Sequence, residues 1–169
     1  MYLAALVTGL CLSYVVLSYG LPWFFEGRRA RLSPNALRSI LVIALSASIA
    51  FFVSFQIEDI QLANRALHML GGGFVAFLAC VLAARDTGLT IGRLRFFIVA
   101  TLLVTFMGVA NELVEFVLDT YTSLLFSSSR IDTWLDLASN VLGILIAAVC
   151  LLSFVPASSG FRQGEPRRS

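Results

Sequence analysis

Residues 96–118 read FFIVATLLVTFMGVANELVEFVL, and this stretch decides the fold class. From Phe96 to Ala110 there is no charged side chain, and the whole run reaches the ~20 mostly apolar residues that a bilayer-spanning helix requires. Asn111, Glu112 and Glu115 then interrupt it, with Asp119 just beyond. A carboxylate set against hydrocarbon is costly, so these acids must face a bundle interior or a wet cavity. One segment therefore predicts both a membrane-spanning helix and a polar face turned inward.

Four further stretches have the same character: residues 2–25, 37–57, 66–84 and 135–156. Between the five lie polar breaks at residues 26–36, which include Pro34, and at 58–65, 85–95 and 119–134. Residues 1–156 thus read as one all-α polytopic transmembrane bundle of five helices, followed at 157–169 by a disordered tail rich in Ser, Gly and Arg. Composition agrees. The chain is 59% hydrophobic and 13% charged, with a mean hydropathy of +0.90, whereas soluble domains carry about 45–50% apolar and about 25% charged residues. The first span lacks a positive leading region and stays apolar too long for a cleaved secretory signal, so it reads as a retained helix. Gly20 and Pro22 are placed to kink or end it. Cys11, Cys80 and Cys150 stand singly in apolar segments and read as filler.

All twelve basic residues are arginines. Arg28, Arg29, Arg31, Arg38, Arg85, Arg93, Arg95, Arg162, Arg167 and Arg168 fall on one side of the spans, and only Arg65 and Arg130 on the other. The positive-inside rule gives an outside N terminus and a cytoplasmic C terminus. The acids divide the opposite way. Glu58, Asp59, Glu112, Glu115, Asp119, Asp132 and Asp136 lie at the outer end, and Glu26, Asp86 and Glu165 at the inner one. The partner implied is the lipid bilayer, with Trp23 and Trp134 as interfacial anchors; no nucleic acid is expected.

Within the fourth span, Thr101, Thr105, Gly108, Glu112, Glu115 and Asp119 recur at spacings of four and three, which is one helix face. In the fifth, Asp132, Asp136, Asn140 and Gly143 share a face; in the third, Asn64 and His68 are four apart, with Gly72 a turn further in. Three helices thus bring carboxylate, carboxamide and imidazole groups to a common depth, predicting a polar pocket open to the outer side. Gly72, Ala76, Cys80 and Ala83 form a small-residue ridge, as do Gly143 and Ala147, and such ridges let helix backbones approach in lipid. Gly71, Gly72 and Gly73 read first as packing residues and second as a hinge beside His68.

These runs resemble a known family. Asn64-Arg65-Ala66-Leu67-His68 is similar to the Asp-Lys-x-x-His opening of the VanZ-like membrane proteins, and Glu112-Leu113-Val114-Glu115-Phe116 to their Glu-x-x-Gln-x element. Arg130, Thr133, Asp136, Asn140 and Gly143 fit the Arg-x-x-Ser…Asp-x-x-x-Asn-x-x-Gly run. Arg65, Asn64 and Glu115 depart from the usual Lys, acid and Gln. The Glu-x-x-Glu pair, with Asp132 and Trp134, looks more like the YjdF-type proteins. The resemblance spans roughly residues 60–145 and implies a multi-pass protein of the bacterial inner membrane. The function it implies concerns the cell envelope: VanZ itself is associated with resistance to the glycopeptide antibiotic teicoplanin.

Three readings of the pocket stand side by side. In the first, His68, Glu112, Glu115 and Asp136 are catalytic, performing acid–base work on a lipid headgroup or lipid-linked ligand. Arg65, Asn111, Arg130, Asp132 and Asn140 would bind that ligand, with Arg65, Arg130 and Asp132 at the rim. Glu112, Glu115, Asp132 and Asp136, with His68, would hold a divalent cation, a purely carboxylate site favouring Mg²⁺, Ca²⁺ or Mn²⁺ over Zn²⁺. The second reading is proton- or cation-coupled transport, for which buried carboxylates are the usual equipment. The third is structural, a polar network that locks helix packing.

Overall fold

The computed structural model describes residues 2–29, 32–121 and 130–155, and among these every regular element is helical. Helix α1 covers Tyr2–Glu26 and α2 covers Ala36–Phe55. Helix α3 runs over Ile60–Asp86, α4 over Arg93–Tyr121 and α5 over Arg130–Leu151, with a 3₁₀ turn at Leu152–Phe154. All five are long and apolar enough to cross a membrane. The tail at 157–169 lies outside the described residues.

Two helices, α3 and α5, begin five or six residues earlier than hydropathy predicts. Helix α3 starts at Ile60 because the Asp59 side chain accepts the backbone N–H groups of Gln61 and Leu62, each at 2.9 Å, which satisfies donors that a first turn otherwise strands. Helix α5 starts at Arg130 and carries Asp132 in its first turn, where a carboxylate complements the helix dipole. Pro22 does not end α1, which continues to Glu26. At the far end of α3, Gly88 (φ +63°) takes the left-handed conformation. The N–H of Leu89 then reaches the Ala84 carbonyl at 2.9 Å, and a buried Leu89 closes the helix end.

Helix α3 is the central element. More than half of its apolar window is buried, 56%, against 22% or 28% in the other four helices. Its second half packs chiefly on α1, and its first half on α5 and, less extensively, on α2 and then α4. The α1–α2 pair and the α4–α5 pair therefore meet through α3. Small side chains permit this: Ala76, Ala79, Cys80, Ala83 and Ala84 are all buried, and Ala147 of α5 is buried opposite. Large apolar residues such as Leu41, Leu102, Phe106 and Val149 point outward, as a lipid-solvated surface requires.

The arginine-rich end is held by a polar clamp. The Asp86 side chain is 2% exposed and accepts the Tyr14 hydroxyl of α1 at 2.8 Å and the Ser39 hydroxyl of α2. Arg85 donates to its other oxygen at 3.2 Å. Beside it Glu26 accepts the backbone N–H of Thr90 at 3.0 Å and pairs with Arg28. Three helices are thus tied through one carboxylate. Tyr14→Phe deletes one charge-assisted hydrogen bond in a buried place and should cost about 1.5–3 kcal/mol. The check is a thermal melt in detergent, where a fall of several degrees is expected.

Candidate functional site

At the opposite end of the bundle α3, α4 and α5 converge on His68, Glu112 and Asp136. Their side chains are 10%, 7% and 4% exposed. The imidazole Nε2 lies 3.9 Å from Glu112 Oε1 and 3.7 Å from Asp136 Oδ2, and one ligand atom from each residue falls within 4.8 Å of the others. These separations are too long for hydrogen bonds. Measured along the axes from Ile60, Tyr121 and Arg130, the three lie about 9–14 Å from the helix ends at 1.5 Å per residue.

The local backbone explains how His68 arrives there. Residues His68–Val75 form a π-helical segment inside α3, His68 being its first residue. Wider turns of this kind tend to mark functional sites. The segment contains Gly71-Gly72-Gly73, which allows α5 to press on it directly. A Cβ on Gly73 would strike the Asn140 carbonyl oxygen and, at 2.8 Å, Gly143 Cα. On the other side, a Cβ on Gly72 would strike Asn140 Oδ1, and one on Gly108 of α4 would lie 2.8 Å from Asn140 Nδ2. The Asn140 amide thus sits in a slot whose walls are glycines, beside His68. Close packing on α5 accounts for Gly72 and Gly73, whereas a methyl on Gly71 would meet the Leu6 side chain at 3.3 Å.

Other candidates distribute around this centre. Asn64 donates to Asp136 Oδ2 at 2.9 Å and orients that carboxylate. Arg65 is half-buried, acts electrostatically on Asp136, and holds a buried Nε with no hydrogen-bond partner. Asp132 is 9% exposed and acts electrostatically on His68, Glu112 and Asp136, the start of α5 at Arg130 carrying it into the bundle. Glu115 is half-buried, acts electrostatically on His68 and Glu112, and accepts from Asn111 at 2.8 Å. Asn111 itself is exposed, since the residue next to Glu112 is turned about 100° away from the inward face. The side chains of Asp119 and Arg130 are outside the described residues. Among the described residues, the group whose ligand atoms converge within 4.8 Å is His68, Glu112 and Asp136, on which Glu115 and Asp132 act electrostatically.

Buried polar atoms in native proteins nearly always have partners. Here Glu112 Oε1, Asp136 Oδ1 and Asn140 Oδ1 are buried with none. Such an arrangement suits a site that receives something. The association of Asp86 with Tyr14 and Ser39 has no signal in the sequence, since it joins residues far apart in the chain.

The family profile described as predicted membrane protein (DUF2238) matches residues 4–156. The chain belongs to this family. The match runs from the first turn of α1 through α5, so the DUF2238 unit includes all five helices and the convergent cluster. The family description names a membrane protein and no reaction or ligand. No curated protein and no solved structure matches the chain.

Proposed function

We propose that this DUF2238 protein binds and acts on the headgroup of an envelope lipid or lipid-linked amphiphile, in the cluster formed by α3, α4 and α5. The observation that carries the reading is the meeting of three buried ionisable side chains from three helices, with carboxylate oxygens that lack partners. Helix packing alone would be served by apolar residues at lower desolvation cost. Arg65 adds a guanidinium with a buried, unsatisfied Nε, a donor suited to a phosphate or carboxylate oxygen of the headgroup. The arginine distribution supports an outward-facing site in a bacterial cytoplasmic membrane. The resemblance of residues 60–145 to VanZ-like and YjdF-type runs supports a role in the envelope, including the response to envelope-active compounds.

A register-locking role has one observation in its favour, the Asn64–Asp136 hydrogen bond that joins α3 to α5. Native mass spectrometry of detergent-purified protein separates the two. Wild type should retain a copurifying amphiphile at near-unit occupancy, and Asp136→Asn should lose it while eluting at the same volume. Equal occupancy in both, or no bound amphiphile in wild type, would favour the lock.

A further inference from the structure

We infer that His68, Glu112 and Asp136 are the protein ligands of a first-row divalent cation, Zn²⁺ or Mn²⁺; the assignment rests on reading the cluster as a ligand site and names what makes it competent for an anionic headgroup. Four observations support it. Each residue comes from a different helix and offers one ligand atom within 4.8 Å of the others. With metal–ligand bonds of about 2.1 Å, neighbouring ligands in a tetrahedral site stand about 3.4 Å apart. The two distances from the imidazole, 3.7 and 3.9 Å, therefore close by a few tenths of an ångström, and the carboxylate pair, within 4.8 Å, by at most about 1.4 Å, within the reach of side-chain rotation. Glu112 Oε1, 3.9 Å from the imidazole, is buried and has no hydrogen-bond partner. Finally, two carboxylates and a neutral imidazole balance a +2 ion, which removes the cost of burying them unpaired.

The donor set also selects the metal. Imidazole suits Zn²⁺ and its neighbours, and carboxylate suits Mn²⁺, Mg²⁺ and Ca²⁺; a mixed set favours ions that accept both. His68 in the set thus adds Zn²⁺ to Mn²⁺ and disfavours Mg²⁺ and Ca²⁺. Asn64, donating to Asp136 Oδ2, is the outer partner that orients a ligating carboxylate. Three protein ligands leave a position for water or a headgroup oxygen, which the metal and Arg65 would hold together.

His68 is the chain's single histidine, and this makes the test direct. Protein purified without a polyhistidine tag is stripped with chelator and titrated with Mn²⁺ and with Zn²⁺. Pulsed electron paramagnetic resonance is then recorded on the Mn²⁺ form. One equivalent should bind, and the spectrum should show nitrogen modulation from one directly coordinated imidazole. Glu112→Gln should weaken binding ~100-fold or more, since loss of outer-shell partners alone costs 10–100-fold. No stoichiometric binding in wild type, or bound Mn²⁺ without nitrogen modulation, would overturn the assignment, and neither result depends on a variant folding. If stripped protein still retains its amphiphile while binding no metal, the metal assignment fails and the headgroup reading stands. Metal binding with no amphiphile under any condition would sustain the metal assignment and overturn the headgroup reading.

Discussion

Gly143→Ala is expected to give the largest loss of stability of any single methyl added to the spanning helices. The new Cβ would land on the Met69 carbonyl oxygen, and within 2.9 Å of both Met69 C and Phe74 N. All three are backbone atoms of the π segment, so no side chain can swing aside. Overpacking typically costs about 1–3 kcal/mol when side chains can yield. Here α3 and α5 must separate, and the cost should be about 3 kcal/mol or more, a fall in melting temperature of roughly 6–12 °C or greater. Separation would also dismantle the Asn140 slot and move Asp136 from His68. The matched control is Gly9→Ala, where the added methyl meets nothing within 4 Å. There the better helix propensity of alanine should leave stability unchanged or raise it by up to about 1 kcal/mol. Fluorescence-detected size exclusion after heating measures both. Equal melting of Gly143→Ala and wild type would refute the backbone contact between α3 and α5.

Glu112→Gln is expected to do the opposite to stability while removing function. In metal-free buffer the wild-type protein holds Glu112 and Asp136 close together, buried, with unsatisfied oxygens and with Asp132 and Glu115 acting on Glu112 electrostatically. The carboxamide keeps the size and shape of the side chain and removes one charge from that group. Stripped Glu112→Gln should therefore melt at or above wild type, by about 2–4 °C for each kcal/mol of repulsion and desolvation relieved. It should nevertheless lose ligand retention. A pocket that exists to lock helices would respond with a lower melting temperature, because the replaced group would have been a working partner. Stability held in reserve against function is the usual signature of a site. The measurement is a pair of melts, with and without added Mn²⁺. Metal should raise wild type and leave the variant where it was, since an ion stabilises a fold in proportion to its occupancy of the folded state.

Much of this architecture was legible from residue order. A spanning helix needs a continuous run of apolar side chains, and continuity is a property of the sequence alone; the five runs became α1 to α5. The inward face of α4 was legible for the same reason, because spacings of four and three fix which side chains share a face. The starts of α3 and α5 were less so. Averaged hydropathy blurs the amphipathic turns at Ile60–Leu67 and after Arg130, where a capping aspartate and an early acid extend the helix beyond its apolar run.

Spacing also has no knowledge of rotation between helices. Asp132 and Glu115 were indistinguishable from Asp136 and Glu112 as ligands until α5 and α4 were set against α3. Asn111 was grouped with the pocket by its place in the chain and is turned away by the helix. The clamp at Asp86 joins residues up to 72 positions apart, so no local pattern could announce it.

The sequence by itself determined that the chain spans a membrane, how many times, and which helix faces carry the acids, because each follows from chemistry along one dimension. The tertiary structure decided which of those acids meet at His68, and that glycines bring α5 onto a π-helical turn. Those outcomes depend on the rotation and separation of whole helices, which packing between distant residues sets.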